Sequence, residues 1–271
     1  MRLGAAHAIN LPADVRWMNR AALALLGVFG VAVAAAGLGW ALRHPSIVLS
    51  GITVSGDVTH NNAITLRANV APRLRGNYFT MDLAQARAAF ESVPWVRRAV
   101  VRREFPNRLR VELQEHQPVA LWGPEGESRL VNSFGEVFDA NLGDVENDNL
   151  PRLGGPSPAA SAAALALYRQ IVPVLARLDL QVEQLLQSSG GSWQATLDSG
   201  AVIELGRGTN EEVLARVDRF AQTTTQVAGR YGRRVDAVES VDLRHPNGYA
   251  LRMRGVSTVS SADTARGPVR R

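Results

Sequence analysis

The chain has 271 residues, is 46% hydrophobic, carries a formal net charge of +5 and contains neither cysteine nor lysine. The absence of cysteine excludes disulfides, thiolate nucleophiles, zinc–thiolate sites and iron–sulfur clusters, and the absence of lysine excludes a P-loop, a Ser-x-x-Lys nucleophile and Schiff-base catalysis. The arginines are scattered among acidic residues rather than gathered into one basic stripe, so the sequence does not predict nucleic-acid binding.

An uncharged apolar run covers residues 21–42. It is long enough to cross a bilayer as a helix, because about 20 helical residues span the hydrocarbon core. Trp17 and Trp40 lie at its ends, where indole rings favour the membrane interface. A cleaved signal peptide is the alternative, although its apolar core is usually shorter, and a buried core helix is the other. We expect a retained transmembrane helix.

The charges around this run predict its orientation. Arg2, Arg16 and Arg20 precede it, whereas Arg43 alone follows it closely. Since arginine is enriched on the cytoplasmic side, residues 1–20 should form a cytoplasmic tail and the folded regions should lie beyond the membrane.

The pattern of apolar and polar residues over 45–118 predicts five secondary-structure elements in the order β-α-α-β-β. Alternating apolar and polar positions indicate strands, and apolar positions at helical spacing after a capping Asn or Asp indicate helices. The predicted elements are a strand over 47–54, a helix from Asn61 or Asn62 to Ala71, a helix from Asp82 to Pro94, and strands over 95–103 and 109–113.

The pattern over residues 119–254 predicts a second, β-rich domain. The tail 255–271 shows no periodicity and is predicted to be disordered. Together the patterns predict an α+β protein: one transmembrane helix, a β-α-α-β-β domain, and a mixed α/β domain with a largely antiparallel sheet. The predicted elements of the second domain are a hairpin over 130–139, a polar loop over 142–158, a helix over 165–178 kinked or divided at Pro173, strands over 180–187, 192–198 and 201–205, a helix begun by a Thr209–Glu212 capping box, and strands over 235–243 and 249–254.

Several strings in these two regions resemble one known family. Residues 47–62 and 94–122 resemble the opening and the second half of a POTRA domain, and SWQATL at 192–197, LGRG at 205–208 and VDLR at 241–244 occur in family order. A membrane helix followed by one POTRA domain and these strings resembles the FtsQ/DivIB family of bacterial cell-division proteins over about residues 45–254. One departure is Ser189-Gly190-Gly191, where the family carries arginines, so an arginine contact there is not carried over.

This resemblance implies an essential, non-enzymatic scaffold of the bacterial inner membrane at the division septum, which helps control septal peptidoglycan synthesis. It implies FtsB and FtsL as periplasmic partners, with FtsK, FtsW, FtsI and FtsN as further partners. It also places FtsB binding at the last strand, which we expect to be a sheet edge open to strand addition. The residues implied there are His245, Asn247, Gly248, Tyr249, Ala250, Leu251, Arg252 and Met253. Alternation along this strand places Tyr249, Leu251 and Met253 on a face that packs on the core, and Ala250, Arg252 and Arg254 on the opposite face. The alternative is that this strand only completes the fold.

The POTRA-like domain is a second candidate surface, implied by the resemblance to receive an upstream division protein. One of its predicted strands carries Arg97, Arg98, Arg102 and Arg103, and charged strands often lie at sheet edges. A solvated face explains these arginines equally well.

Catalytic and metal sites are not predicted. None of the five histidines has a metal-ligand neighbour at suitable spacing, so they are expected to be lone surface side chains. Glu112 and Glu115 are separated like a glycosidase pair, but a strand with solvated faces is the better interpretation. Trp95, Trp122 and Trp193 are expected in the core or its rim. We therefore expect no cofactor and no small-molecule substrate.

Two other functional classes compete with a scaffold. A POTRA-bearing transport or outer-membrane assembly factor usually has several POTRA repeats and a long β-barrel, whereas this sequence shows one POTRA-like unit. A periplasmic peptidoglycan enzyme would need a nucleophile or metal cluster, for which no pattern is evident.

The arginine asymmetry predicts a cytoplasmic N-terminus and a single membrane crossing. A reporter enzyme that is active only in the periplasm, fused after Arg254, should therefore be active in cells. A cytoplasm-dependent reporter at the same junction is the control and should be inactive. An inactive periplasmic reporter on an intact fusion protein would contradict the predicted anchor.

Overall fold

A computed structural model describes residues 13–43, 49–126, 129–145, 149–245 and 247–256. The predicted cytoplasmic tail up to residue 12, the start of the strand predicted over 47–54 and the tail beyond 256 lie outside the described residues, as do His7 and His44.

The chain divides into two compact units, Met1–Gln114 and Glu115–Arg271. The helices are α1 (Ala13–Arg43), α2 (Ala63–Val70), α3 (Leu83–Glu91), α4 (Ser161–Leu175) and α5 (Asn210–Arg230). The strands are β1 (Gly51–Gly56), β2 (Val96–Glu104), β3 (Arg108–Glu115), β4 (Pro118–Trp122), β5 (Arg129–Asn132), β6 (Val137–Phe138), β7 (Arg152–Gly154), β8 (Val182–Gln187), β9 (Trp193–Leu197), β10 (Val202–Gly206), β11 (Val238–Asp242) and β12 (Ala250–Met253).

Helix α1 extends the predicted apolar run toward the N-terminus, since it begins at Ala13 rather than at residue 21. At 1.5 Å per residue it is about 45 Å long, which exceeds the roughly 30 Å of a bilayer's hydrocarbon core. Its large apolar side chains, such as Leu25 and Phe29, are exposed along its length. The helix is thus long and apolar enough to be a single membrane span.

A second segment, Pro158–Leu178, is also long and apolar enough to span a membrane by composition. It contains α4, whose Leu167, Ile171 and Leu175 are fully buried in the core of the C-terminal unit. Burying one such side chain contributes about 1.5–3 kcal/mol. This segment is therefore a core helix of a folded domain.

The N-terminal unit contains the predicted β-α-α-β-β domain. Its sheet has the strand order β1-β3-β2, with β1 and β3 parallel. Asn62 caps α2 by accepting a hydrogen bond from the Thr65 amide at 2.8 Å, and Asp82 caps α3 through the amides of Ala84 and Gln85. At Gly56, φ is +97° and an added Cβ would lie 2.2 Å from the Leu113 carbonyl oxygen, so this turn requires glycine.

The C-terminal unit is built on one sheet, whose described strands have the order β12-β11-β10-β9-β8-β7-β4-β5-β6. The pairs β10–β11, β7–β8 and β4–β7 are parallel, and the other five pairs are antiparallel. The predicted largely antiparallel sheet is confirmed. Helices α4 and α5 contribute to its main hydrophobic core, where Trp122 and Trp193 are buried. Trp95 is buried in the N-terminal unit, so all three tryptophans pack in the interior as expected.

The sequence patterns missed strands β4 and β7, which occupy the middle of this sheet. β7 has three residues and lies within the predicted polar loop, and such a strand is too short to show a period of two. At Pro173 the sequence predicts a kink or a division of the helix, and a division is wrong, because α4 runs from Ser161 through Pro173 to Leu175. Near a helix end, proline removes one backbone hydrogen bond and leaves the preceding turns intact.

Helix α5 follows the predicted capping box. The Thr209 amide donates to the Glu212 carboxylate at 3.0 Å, and the Glu212 amide donates to the Thr209 hydroxyl at 3.3 Å. Val213, Val217 and Phe220 form its fully buried face. This helix lies against the sheet near its last strands, where the predicted interaction residues are found.

Candidate functional site

The last strand, β12, lies at one end of the sheet of the C-terminal unit. It pairs in antiparallel register with β11, with Leu251 opposite Val241 and Ala250 opposite Asp242. In the part of the chain that the structure describes, no strand pairs with the other side of β12. The prediction that the last strand is a sheet edge is therefore confirmed.

One face of β12 packs on the protein's own core. The Tyr249 hydroxyl is 2.9 Å from the Thr223 hydroxyl, and the Tyr249 ring meets the Phe220 ring edge-on at a centroid distance of 5.3 Å. Leu251 is half-buried and Met253 is buried. These contacts with α5 support a four-residue strand that has a hydrogen-bonded neighbour on one side only.

The other face of β12 is exposed and basic. Ala250, Arg252 and Arg254 are exposed, as the predicted alternation requires. The Arg252 guanidinium pairs with the Glu239 carboxylate at 3.1 Å, and both side chains remain largely exposed. This pair contributes little to stability and leaves the guanidinium accessible to a further acid.

The backbone of β12 presents hydrogen-bonding groups outward. The Arg254 amide donates to the Ala237 carbonyl at 2.8 Å, toward β11. Since amide directions alternate along a strand, the Leu251 and Met253 amides point away from β11. A partner strand could therefore pair with the outer side of β12.

A cleft of about 660 Å³ lies between β12 and the C-terminal half of α5. Its lining includes the residues Arg219, Thr223, Val227, Tyr249, Leu251 and Met253. Apolar side chains from the strand and the helix meet in this cleft, and Arg219 and Arg252 also line it. A segment that added a strand to β12 could place an apolar side chain there.

The connection from β11 to β12 begins with a tight ion pair. The Arg244 amide, Nε and Nη2 donate to the Asp242 carboxylate at 3.0, 2.9 and 2.6 Å. The side-chain hydrogen bonds from Arg244 lower the pKa of Asp242 from 3.8 to about 2. His245 and Asn247, which follow, are exposed, and Gly248 is half-buried; Pro246 lies outside the described residues.

Three arginines line a second cleft, of about 470 Å³, with Ser192 and Gly206. They are Arg207, Arg216 and Arg244. The Nη2 of Arg216 donates to the Arg207 carbonyl at 2.6 Å, whereas its Nε is buried and makes no hydrogen bond within the described residues. No acidic side chain is part of the described lining, so this cleft fits an anionic group.

The sequence comparison did not reveal that an arginine covers the Ser-Gly-Gly turn. A Cβ added to Gly190 would lie 2.8 Å from the Arg207 guanidinium, so the arginine of the LGRG string reaches over this glycine. The resemblance implies arginines before the Trp-Gln strand, which this sequence lacks, and here Arg207 from another element brings positive charge beside Gly190. Only the folded structure brings these two segments together.

The predicted arginine strand, β2, is also a sheet edge. The Arg97 guanidinium donates to the Gln114 side chain at 3.1 Å. The Arg103 guanidinium donates to the carbonyls of the 78–81 loop at 2.6–3.3 Å. Arg98 and Arg102 are exposed. Arg103 is exposed too, so the contacts rather than the exposure divide the four residues: the guanidinium groups of Arg97 and Arg103 bind groups within the domain.

Part of the β2 backbone edge is already occupied. The Ala99 amide donates to the Glu91 carboxylate of α3 at 3.1 Å. Continuous strand addition would have to displace this contact. The structure therefore favours the exposed side chains of β2, rather than its backbone, as the recognition groups.

Two expectations about isolated polar residues are corrected. Glu112 is exposed but Glu115 is buried, so the expected pair of solvated carboxylates is wrong, and the two residues lie on opposite faces of β3. His60 stacks on Trp95 at 3.8 Å, and His116 stacks on Phe138 at 4.0 Å, so neither is a lone surface histidine. Among the described residues, no group of three potential metal ligands gathers in one place.

Family models match both regions of the chain. Residues 120–244 match the model described as cell division protein FtsQ/DivIB, C-terminal. Residues 49–116 match the model described as POTRA domain, FtsQ-type. The C-terminal match is to a division-protein domain rather than to further POTRA repeats, which argues against the transport or assembly alternative.

Full-length similarity points to the same family. A curated relative called cell division protein FtsQ from Thiomonas arsenitoxydans is 38% identical over 249 residues, which are 91% of this chain and 90% of the relative. The protein of that name from Burkholderia pseudomallei is 39% identical over 251 residues, or 92% of this chain and 97% of the relative. The one from Bordetella pertussis is 36% identical over 255 residues, or 88% and 91%.

The Asp242–Arg244 pair predicts a pH dependence at very low pH. A folded-state pKa of about 2, below the ordinary 3.8, means that the pair stabilises the fold above about pH 4 and loses this contribution as the pH falls toward 2. In Arg244→Gln the pKa of Asp242 should return toward 3.8. Carboxyl-carbon NMR titration measures both values.

Arg252→Gln is the matched control for this titration. It removes an arginine from the neighbouring strand that pairs with Glu239 rather than with Asp242, so the pKa of Asp242 should stay near 2. An Asp242 pKa that is the same in the native chain and in Arg244→Gln would show that the ion pair is not the cause.

Proposed function

Because this chain belongs to the FtsQ/DivIB family of bacterial cell-division proteins, we propose that it is a non-enzymatic scaffold of the division complex. Helix α1 anchors it in the inner membrane at the septum, with residues 1–20 in the cytoplasm. The POTRA domain, 45–118, and the C-terminal domain, 119–254, lie in the periplasm. The observation that supports a scaffold most directly is that β12, at the end of the large sheet, pairs with β11 on one side and has no described strand on the other.

The proposed periplasmic partner is FtsB, in complex with FtsL. An extended FtsB segment adds to β12 by backbone hydrogen bonding, and its alternate side chains give specificity. The segment carries acidic groups, since Arg252 and Arg254 are exposed beside the edge and the nearby cleft is lined by arginines. In this chain the residues proposed to bind FtsB are the eight implied by the family resemblance, His245 and Asn247 to Met253.

Through these contacts the chain connects cytoplasmic and periplasmic division components. We propose FtsW, FtsI and FtsN as further partners, by which it helps control septal peptidoglycan synthesis without itself catalysing a reaction. The absence of lysine and cysteine nucleophiles from the sequence is consistent with this role.

The POTRA domain provides the second contact in this proposal. It receives an upstream division protein, with FtsK the partner implied by the family, through the exposed arginines of β2. Arg98 and Arg102 are the contact residues, because Arg97 and Arg103 bind groups within the domain. Charge complementarity would then bring an acidic surface of the partner to this strand.

Truncation tests the assignment of FtsB binding to β12. Ending the chain after Gly255 keeps β12, so binding to FtsB should stay within about twofold of the full chain. Ending it after Gly248 removes β12 and should weaken binding at least about 100-fold, with loss of complementation in a depleted strain. Co-purification with FtsB and titration of the purified chains measure these effects.

A crosslinking variant separates loss of contact from loss of folding. A photocrosslinking residue at Arg252 of β12 should capture FtsB in the full chain, whereas one at Val137 should not, because β6 is the opposite edge of the same sheet. Binding that survives removal of β12, or equal capture at both edges, would place the partner elsewhere. A variant that binds FtsB normally but no longer complements a depleted strain would indicate a catalytic function rather than a scaffold.

Charge reversal tests the proposed POTRA surface. The double variant Arg98→Glu/Arg102→Glu should reduce septal localisation several-fold while the domain stays folded, because both side chains are exposed. Arg67→Glu/Arg75→Glu is the matched control, since it reverses two exposed arginines of the same unit outside β2. Septal fluorescence of tagged chains measures the effect, and normal localisation of the β2 variant would contradict this assignment.

A further inference from the structure

The turn between β2 and β3 exposes a large aromatic side chain. Phe105, at its tip, is 87% exposed, the highest value among the large apolar side chains of the described residues. It is followed by Pro106 and Asn107, and Pro106 is exposed as well. A single exposed aromatic ring is common on folded domains, so what it can contact depends on the groups around it.

The tip lies at the N-terminal end of β1. The Ser50 amide donates to the Asn107 carbonyl at 2.9 Å, and the Ser50 hydroxyl donates to the Asn107 side-chain oxygen at 2.6 Å. In the sheet, Gly51 is in register with Arg108. The turn is therefore fixed to the point at which the chain enters the domain.

The chain itself limits the distance between this tip and the end of α1. Residues 44–50 connect Arg43 to β1, and a segment of this length reaches at most about 25 Å when fully extended. If α1 spans the membrane, this short connection holds the tip near the bilayer surface. Such a tether gives a surface contact a high effective concentration.

A second exposed aromatic is linked to the same turn. Phe79 is 57% exposed. The Arg103 guanidinium, two residues before Phe105, donates to the carbonyls of Tyr78, Phe79 and Met81. This arginine therefore ties the Phe79 loop to the β2 end of the turn.

The charge around the tip is positive. Arg102 and Arg108 are exposed, and Arg108 extends beside Gly51, where an added Cβ would lie 3.6 Å from its Nε. The acid of this turn, Glu104, is paired with Arg110 at 2.7 Å. Exposed aromatics beside unneutralised arginines are typical of surfaces that bind anionic lipid headgroups.

We propose that this membrane-facing tip, defined by Phe79, Phe105 and Arg108, inserts into the headgroup region of the leaflet from which α1 emerges. The phenylalanines enter the boundary with the acyl chains, and Arg108 binds the phosphate of an anionic phospholipid. The proposal rests on α1 being the membrane anchor and is independent of FtsB binding. Its consequence is a POTRA domain held in one orientation on the lipid surface.

The absence of native cysteine allows a direct test with the full chain. Single cysteines at Phe105 and Ile64 are labelled with a nitroxide, and the chain is placed in nanodiscs containing phosphatidylglycerol. Ile64 is the control because it is 81% exposed in the same domain, at the start of α2. The label at 105 should be at least about threefold less accessible to a water-soluble nickel chelate than the label at 64.

Two comparisons test the chemistry of the contact. Arg108→Glu, or nanodiscs of phosphatidylcholine alone, should raise the nickel accessibility at 105 at least about twofold, since each removes the attraction to anionic lipid. With the label moved to 79, Phe105→Ser should raise accessibility there, which shows the contribution of the native ring. Unchanged protection in Arg108→Glu and in phosphatidylcholine would overturn the role of the arginine.

Equal accessibility at 105 and 64 would overturn the lipid contact and leave a protein partner as the occupant of the tip. A third label, at Phe29 of α1, reports anchoring separately. If the label at Phe29 is buried in the bilayer but the label at 105 is exposed to water, the tip contact is overturned and the anchor is not. A water-exposed label at Phe29 overturns the anchor, and the tip contact with it.

Discussion

The packing of α5 beneath the last strands is the interaction on which the proposed partner surface depends. A pair of short strands is at best marginally stable in water unless another element packs on it. Here Phe220 and Thr223 of α5 hold Tyr249, and Met253 is buried at the other end of β12. The helix thus fixes the position of the strand without pairing with its backbone, which leaves the outer edge ordered and available.

Open edges also promote aggregation, and the end strands β2, β6 and β12 limit this differently. β6 has only two residues. β2 has one amide bound by Glu91 and carries arginines along its length. β12 is short, carries Arg252 and is followed by Arg254, and these arginines would repel the same edge of a second copy. The same arginines would attract an acidic segment, so they discourage self-association of the chain and favour an acidic partner.

The sequence predicted the elements whose patterns are long or whose caps are specific. The Thr209–Glu212 box located α5, and alternation located β9, β10 and β12 together with the faces of β12. It missed β7, which is too short for a period to show. It also placed Glu115 in solvent, as is usual for a carboxylate, although alternation with Leu109, Val111 and Leu113 puts this position on the buried face of β3. The arginine over Gly190 was also missed, since that contact joins residues far apart in the chain.

The exclusive use of arginine has a structural consequence beyond the chemistry that it excludes. The Arg103 guanidinium reaches three carbonyl oxygens around one loop, and Arg244 holds one carboxylate through two side-chain nitrogens. A lysine ammonium lacks the planar arrangement of donors that makes such contacts directional. Arg103 and Arg244 are exposed although groups within the protein hold them, so exposure alone does not assign an arginine to recognition. The proposed contact residues Arg98 and Arg108 are distinguished from them by the partners of the guanidinium rather than by the formal charge.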